Sequence, residues 1–288
     1  MNLSKLFPTF SALFRKEALP FWIVCVLLLA LMCDRRLIVR KYRLQTEDTT
    51  GVRIALVTDL HDSRYGRDQR KLLDAIRAQQ PDLILIGGDL FSDVDTHENT
   101  EAFLSGISGE YPCYYVTGNH EHWHGFESFQ IRMDILEKYG IPVLDGTFEE
   151  IAINGTALNI CGVSDPLAHM SQGDEPTVPF DRQLEAVAGA ASNGSYTILL
   201  SHRPELFEQY AQYDFDLVLC GHAHGGQWRI PFLLNGLYAP QQGLFPKYAG
   251  GEYSANGTTM IVSRGLQRGK NIVPRIFNRP ELVIIDLE

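Results

Sequence analysis

The sequence predicts an α/β fold whose strands are covered on both faces, and three observations carry that reading. Short, wholly apolar runs such as residues 54–58 and 83–86 recur along the chain, too brief for helices and without the polar alternation of a half-exposed strand. Between them lie longer amphipathic stretches, of which residues 69–79, with Leu72, Leu73 and Ile76 on one face, are the clearest. At 288 residues, 45% of them hydrophobic and 21% charged, the chain can bury such a sheet, and the composition excludes a disordered, collagen-like or polytopic membrane protein.

The first element in chain order is an apolar head. Residues 18–33 carry no charge and are bounded by Arg15-Lys16-Glu17 and Asp34-Arg35-Arg36. Sixteen residues extend about 24 Å as a helix, a little less than the roughly 30 Å hydrocarbon core of a bilayer. No polar stripe marks them as a buried core helix, and Leu31-Met32-Cys33 offers bulky residues where a signal peptidase needs small ones. The expectation is one uncleaved N-terminal transmembrane helix in a head and linker of residues 1–50, followed by a catalytic body of residues 51–288. Five basic residues after the span against three before it place that body on the cytoplasmic side.

The body then alternates. Strands are expected at residues 54–58, 83–86, 113–116, 141–144, 198–200 and 217–219, and helices at 69–79, 98–105, 126–139, 182–191 and 205–213. Asn154-Gly155 centres a hairpin over residues 150–160, and late strands follow at 258–263 and 281–287. Of the five cysteines two lie in the apolar head, and the other three, Cys113, Cys161 and Cys220, are isolated, show no C-x-x-C motif and read as buried thiols. Charge is divided: residues 1–50 hold eight Lys/Arg against four Asp/Glu, whereas the remainder holds 17 against 31. So acidic a body offers no broad nucleic-acid surface.

Polar residues collect just beyond the ends of the apolar runs. IALVTDLHD supplies Asp59 and His61, LILIGGDL supplies Asp89, YYVTGNHEH supplies Asn119 and His120, ILLSHRP supplies His202, and LVLCGHAHGG supplies His222 and His224. In an open α/β sheet the carboxyl ends of parallel strands face one crevice, so these five segments can converge. Two carboxylates, an amide and several imidazoles, without a thiolate, suit Mn first, with Fe or Zn as alternatives, in a catalytic role. Seven such groups exceed what one tetrahedral ion takes and fit two divalent ions sharing a carboxylate, the arrangement that clamps both oxygens of a phosphoryl displacement. Such a centre keeps about one positive charge for an anionic ester, which answers the objection of the acidic body.

The five blocks Asp59-Leu-His61, Gly88-Asp89, Gly118-Asn119-His120-Glu121, Ser201-His202 and Gly221-His222-Ala-His224, in that order, resemble the signature of the calcineurin-like metallophosphoesterases. The resemblance covers most of residues 52–288 and implies a four-layer αββα sandwich of two mixed sheets flanked by helices. It implies that Asp59, His61 and His224 hold one metal, that Asn119, His202 and His222 hold the other, and that Asp89 bridges them. His120 would not be a ligand but would steady charge or protonate the leaving oxygen, oriented by Asp62 or Glu121. The reaction implied is in-line attack of hydroxide on phosphorus.

The segments SHRPELF, GHAHGGQ and VPRIFNRPELVIIDL resemble the membrane-anchored bacterial branch, which includes phosphodiesterases and a pyrophosphatase acting on UDP-diacylglucosamine. A phosphodiester or pyrophosphate bond, in a lipid or lipid precursor of that kind, is the expected substrate. Phosphomonoesters and phosphoproteins are the alternative, because the metal core does not encode the number of ester substituents. A membrane protein that uses the metals without catalysis is the more distant rival. Arg264 and Arg268, in a locally basic tail, are the expected substrate-phosphate contacts. Residues 230–238, with Phe245, have no clear period and suggest either a core-covering loop or an apolar rim. His97 and His169 are expected in solvent, and His122 and His124 in a surface loop.

Overall fold

The computed structural model describes residues 19–46, 51–93, 96–170, 178–268 and 274–288. The chain begins with α1 (Leu19–Met32) and β1 (Ile38–Leu44), and continues through β2 (Val52–Val57), α2 (Arg70–Arg77), β3 (Leu83–Gly87), α3 (Glu98–Ile107) and β4 (Cys113–Val116). Next come α4 (Asn119–His122), α5 (Gly125–Lys138), β5 (Thr147–Ile153), β6 (Thr156–Gly162), α6 (Phe180–Ala188), β7 (Tyr196–Leu200), α7 (Phe207–Tyr210) and β8 (Leu217–Cys220). The last elements are β9 (Tyr238–Ala239), β10 (Gly243–Leu244), β11 (Gly251–Ala255), β12 (Thr258–Val262) and β13 (Glu281–Leu287).

Two mixed sheets result. The first has the order β1-β13-β2-β3-β4, all neighbours parallel except β13 against β2. The second has the order β11-β12-β8-β7-β6-β5, with antiparallel pairs only at its two edges. The strand period sorts side chains into layers. Ile54, Leu56, Leu83, Leu85, Val283 and Ile285 face Leu158, Ile160, Ile198, Leu200, Leu217 and Leu219 across the space between the sheets. The alternate residues Ala55, Val57, Ile84 and Ile86 pack outward on Leu72, Leu73, Ile76, Phe103, Leu104 and Leu136 of α2, α3 and α5. Leu199, Val218 and Cys220 pack outward on Leu184 and Val187 of α6 and on Phe207 and Tyr210 of α7. The molecule is thus helices, sheet, sheet, helices, which is why both strand faces had to be apolar.

Three expectations change. Among the described residues no helix is long and apolar enough to cross a membrane; α1 spans 14 residues, about 21 Å at 1.5 Å each, and none of its residues is buried. Residues 38–44, placed in the head and linker, form β1 instead and pair in parallel with β13, so the first sheet includes residues before the expected boundary at residue 50. Their Arg and Lys side chains hid the strand, because an edge strand keeps charge on its solvent side. Residues 141–144 form only an isolated bridge, Tyr115 to Val143, in place of a full strand.

Candidate metal centre

The site forms where parallel strands of both sheets end together. Asp59 and His61 follow β2, Asp89 follows β3, Asn119 opens α4 after β4, His202 follows β7, and His222 and His224 follow β8. The backbone leaves these strands abruptly: Asp59, His61, Asp89, His222 and His224 all have positive φ, between 45° and 66°. L-residues visit that region at a cost of order 1–3 kcal/mol each, so the surrounding contacts must fix them there. The Asp59 amide donates to the Gly88 carbonyl at 3.0 Å, the His61 amide to the Asp89 carbonyl at 3.1 Å, and the His222 amide to Asp59 Oδ1 at 3.0 Å. Gly88 itself turns at φ +86°, where a side chain would meet the Gly118 nitrogen and His202 Nδ1, each at 2.7 Å.

Two groups of ligand atoms emerge. Asp59, His61, Asp89 and His224 each offer an atom within 4.8 Å of the others, and Asp89, His202 and His222 do the same. Asp89 belongs to both. Its Oδ2 lies 3.6 Å from His61 Nε2 and 3.1 Å from His202 Nε2, while His222 Nδ1 is 3.2 Å from His202 Nε2. His61 Nε2 and Asn119 Oδ1 are buried and lack a hydrogen-bond partner. Orphaned buried lone pairs are costly unless a ligand takes them, so this donor set fits divalent cations.

The outer shell fixes the imidazoles. His202 Nδ1 donates to the Gly87 carbonyl at 2.8 Å, which leaves Nε2 as the free lone pair. His222 Nε2 lies 2.6 Å from Gln241 Oε1 and 2.9 Å from the Arg203 guanidinium. Arginine only donates and the amide oxygen only accepts, so these partners favour opposite tautomers. A cation on Nδ1 selects the form that donates to Gln241. Arg203 is itself held by Asp165, with a bond of 2.8 Å from its second terminal nitrogen. Burial holds His61 down to about 3 and His222 and His224 well below the usual imidazole range, so all three stay neutral as ligands must. Asp59 is pushed up to about 6 by burial, with Asp89 adding to it against His202. His202 behaves oppositely: burial opposes its charge, but Asp89 and Asp59 outweigh it and raise it to about 10. Two buried carboxylates without a cation retain a proton in its place.

His120 stands beside this cluster and is only partly buried. Its Nε2 is 3.9 Å from Asp89 Oδ2, its Nδ1 is 2.7 Å from Asp93, and its ring packs on Trp123 with centroids 4.0 Å apart. Burial lowers its pKa, yet Asp89 and Asp93 outweigh that and the net shift is upward. The orienting carboxylate is therefore Asp93, not Asp62 or Glu121. Asp62 instead accepts from the Thr100 amide and Asn99 at the start of α3, and Glu121 accepts from the Asp89, Phe91 and Gly118 amides, pinning two strand ends together. Arg132 on α5 donates to the carbonyls of His120 and Glu121 at 2.7 and 2.8 Å and fixes the same turn.

Both expected substrate arginines have partners within the protein. Arg264 pairs with Glu281, its Nε at 2.6 Å, because Glu281 opens β13 directly beside the end of β12. Arg268 donates to the carbonyls of Arg35 and Arg64 and stacks over Tyr65, tying the chain after α1 to the body. The arginines that do approach the ligands are Arg203, at His222, and Arg275, buried, with a terminal nitrogen 3.4 Å from His224 Nδ1. His97 and His122 are buried, on Phe91 and Phe129 respectively, not in solvent or a surface loop; His124 and His169 are exposed. Asp93 and Gln241 escaped the sequence reading, whereas Arg203, next to His202, and Arg275, in the basic tail, had a cue in their place in the chain.

Comparison with known proteins agrees with this geometry. The relatives include an uncharacterised metallophosphoesterase of Campylobacter jejuni, 30% identical over 82% of this chain and 59% of its own length. The Escherichia coli phosphodiesterase YaeI is 29% identical over 84% of each chain. The present chain spans little more than half of the first relatives it matches, 59% and 54% of their lengths. Among solved structures, the NAD nucleotidase of Haemophilus influenzae superposes with a TM-score of 0.54 at 19% identity, over 75% of this chain and 46% of that one, a likeness of fold alone. Residues 52–226, which carry all seven ligand positions, match the model of the calcineurin-like phosphoesterases, and the chain belongs to that family.

Proposed function

We propose that this chain is a two-metal phosphoesterase that hydrolyses a phosphodiester or pyrophosphate bond, in a lipid or lipid precursor, at a membrane surface to which the N-terminal segment tethers it. The observation that carries the catalytic part is the placement of Asp89 Oδ2 within reach of both ligand groups. In this reading Asp59, His61 and His224 hold one cation, Asn119, His202 and His222 a second, and Asp89 both. Divalent cations, Mn before Fe or Zn, supply there a lowered pKa for water and positive charge for the phosphoryl oxygens. His120, fixed by Asp93 and Trp123, delivers a proton to the leaving oxygen. A phosphodiester is supported by the name of the Escherichia coli relative. The tether is supported by α1, an uninterrupted apolar helix with no buried residue, followed by Arg35, Arg36, Arg40, Lys41 and Arg43.

The test compares bis(p-nitrophenyl) phosphate with p-nitrophenyl phosphate, using the purified full chain with Mn²⁺ and again after chelation. The diester is expected to be cleaved faster by about tenfold or more, equivalent to at least ~1.4 kcal/mol of barrier, and chelation is expected to abolish cleavage. Absence of diester cleavage with Mn, Fe and Zn alike would overturn the proposal.

A further inference from the structure

A second surface of this molecule has the chemistry of a bilayer contact. Beyond the metal centre the chain leaves His224 through Trp228 and Arg229 into a loop over residues 230–234. There Phe232 and Leu233 stand in solvent at 107% and 85% exposure, with Ile230 half exposed. The hairpin β9–β10, joined to this loop by the Leu237 amide on the Trp228 carbonyl, adds exposed Tyr238, Leu244 and Phe245. Lone exposed apolar residues are ordinary, but a group of large ones on adjoining loops marks an interaction surface. The backbone conformation is also unusual: Phe232, Phe245 and Phe277 all have positive φ, 68°, 57° and 48°, a region that bulky side chains avoid.

Beside these residues lies a cavity of about 490 Å³ lined by Arg40, Arg229 and Arg264 together with Leu233, Leu234 and Phe277. Among the described residues, Glu281 is the carboxylate paired with these arginines, bonding Arg264 and standing 4.0 Å from Arg40. The crowding leaves a net positive pocket under an apolar rim, the complement of an anionic head group with its acyl chains. The surface is also continuous with α1. The Phe277 amide donates to the Met32 carbonyl at 2.8 Å, at the last turn of that bare apolar helix, and the Arg229 backbone amide donates to the Ile276 carbonyl at 2.9 Å.

We infer that residues 230–234 and the Arg40, Arg229 and Arg264 pocket form a second membrane-docking site, which seats on a bilayer containing anionic phospholipid and takes a lipid phosphate between the arginines. This rests on the proposal that the protein works at a lipid surface, and goes beyond it by naming the contact. Docked in this way, the turn that carries His224 would lie next to the head groups, so a lipid phosphoester would reach the ligands without leaving the interface.

The experiment places a reporter on the loop with Leu233→Trp in the full chain, read against the unsubstituted protein. The vesicles are phosphatidylcholine with or without phosphatidylglycerol, their acyl chains brominated near the head group. With phosphatidylglycerol the added fluorescence is expected to shift to the blue, to be quenched by bromine and to be shielded from aqueous iodide. Adding Arg229→Gln is expected to weaken that docking about fivefold, the worth of one charge near an anionic surface. Iodide access equal with and without vesicles would overturn the docking site and leave the face to another protein or a second copy. Equal quenching in both lipid mixtures would overturn its anionic selectivity. Turnover of the soluble diester, measured on each variant, checks folding and tests the phosphoesterase proposal separately, because lost turnover with retained quenching refutes only the latter.

Discussion

Asp89 and His120 sit 3.9 Å apart at their closest side-chain atoms, yet they are expected to fail differently. Asp89→Asn removes the one charge that both ligand groups share, so metal content and turnover should fall together. Metal analysis of the purified variant checks this, and two retained ions would refute a bridging role. His120→Ala leaves all seven ligands in place, so metal content should persist while turnover drops by about 10²–10⁴, the usual worth of a positioned proton donor. These side chains were legible because each belongs to a short block after an apolar run. Arg264 and Arg268 were named from a basic tail, which says nothing of which arginine meets Glu281 and which meets a backbone carbonyl. Asp93 and Gln241 carried no signal at all: an acid four residues past Asp89 and an amide in a proline-containing turn gain their partners only when the chain folds back.

At the level of elements, the strand ends carry the chemistry through conformations that cost energy. Gly88→Ala should destabilise the fold by about 1–3 kcal/mol and loosen the ligand set, because the new methyl meets the Gly118 nitrogen and His202 at a φ of +86°. Gly189→Ala is its control. That glycine has helical φ of −59°, and no atom lies within 4 Å of the added methyl, so the change should be neutral or stabilising by about 0.4–1 kcal/mol. Urea titration of the two variants separates the effects. Elements with strong period were readable: β4 and β13 fall on residues 113–116 and 281–287, as expected, and the hairpin turns at Asn154-Gly155 with both φ positive. β1 was not, because its four polar and charged positions are those of an edge strand, and its pairing with β13 spans more than two hundred residues of sequence.

For the whole molecule, two sheets that share one inner core also share one site, so cation binding should stabilise the entire fold. Mn²⁺ is expected to raise the thermal midpoint and chelation to lower it, since a ligand present at a hundredfold its Kd contributes about 2.7 kcal/mol. Calorimetry with and without chelator checks this, and an equal response of Asp89→Asn would place the stabilising ion elsewhere. The sequence by itself determined the α/β class, the order of the main strands and the identity of the seven ligand candidates. Apolar runs and the polar residues just after them are local patterns, set by what each short segment can bury. Only the tertiary structure decided that β1 joins the first sheet, that Asp93 orients His120, and that the apolar loop lies beside α1 with three arginines beneath it. Those are contacts between distant segments, and nothing in a local pattern of hydrophobicity or charge records which partner a side chain will meet.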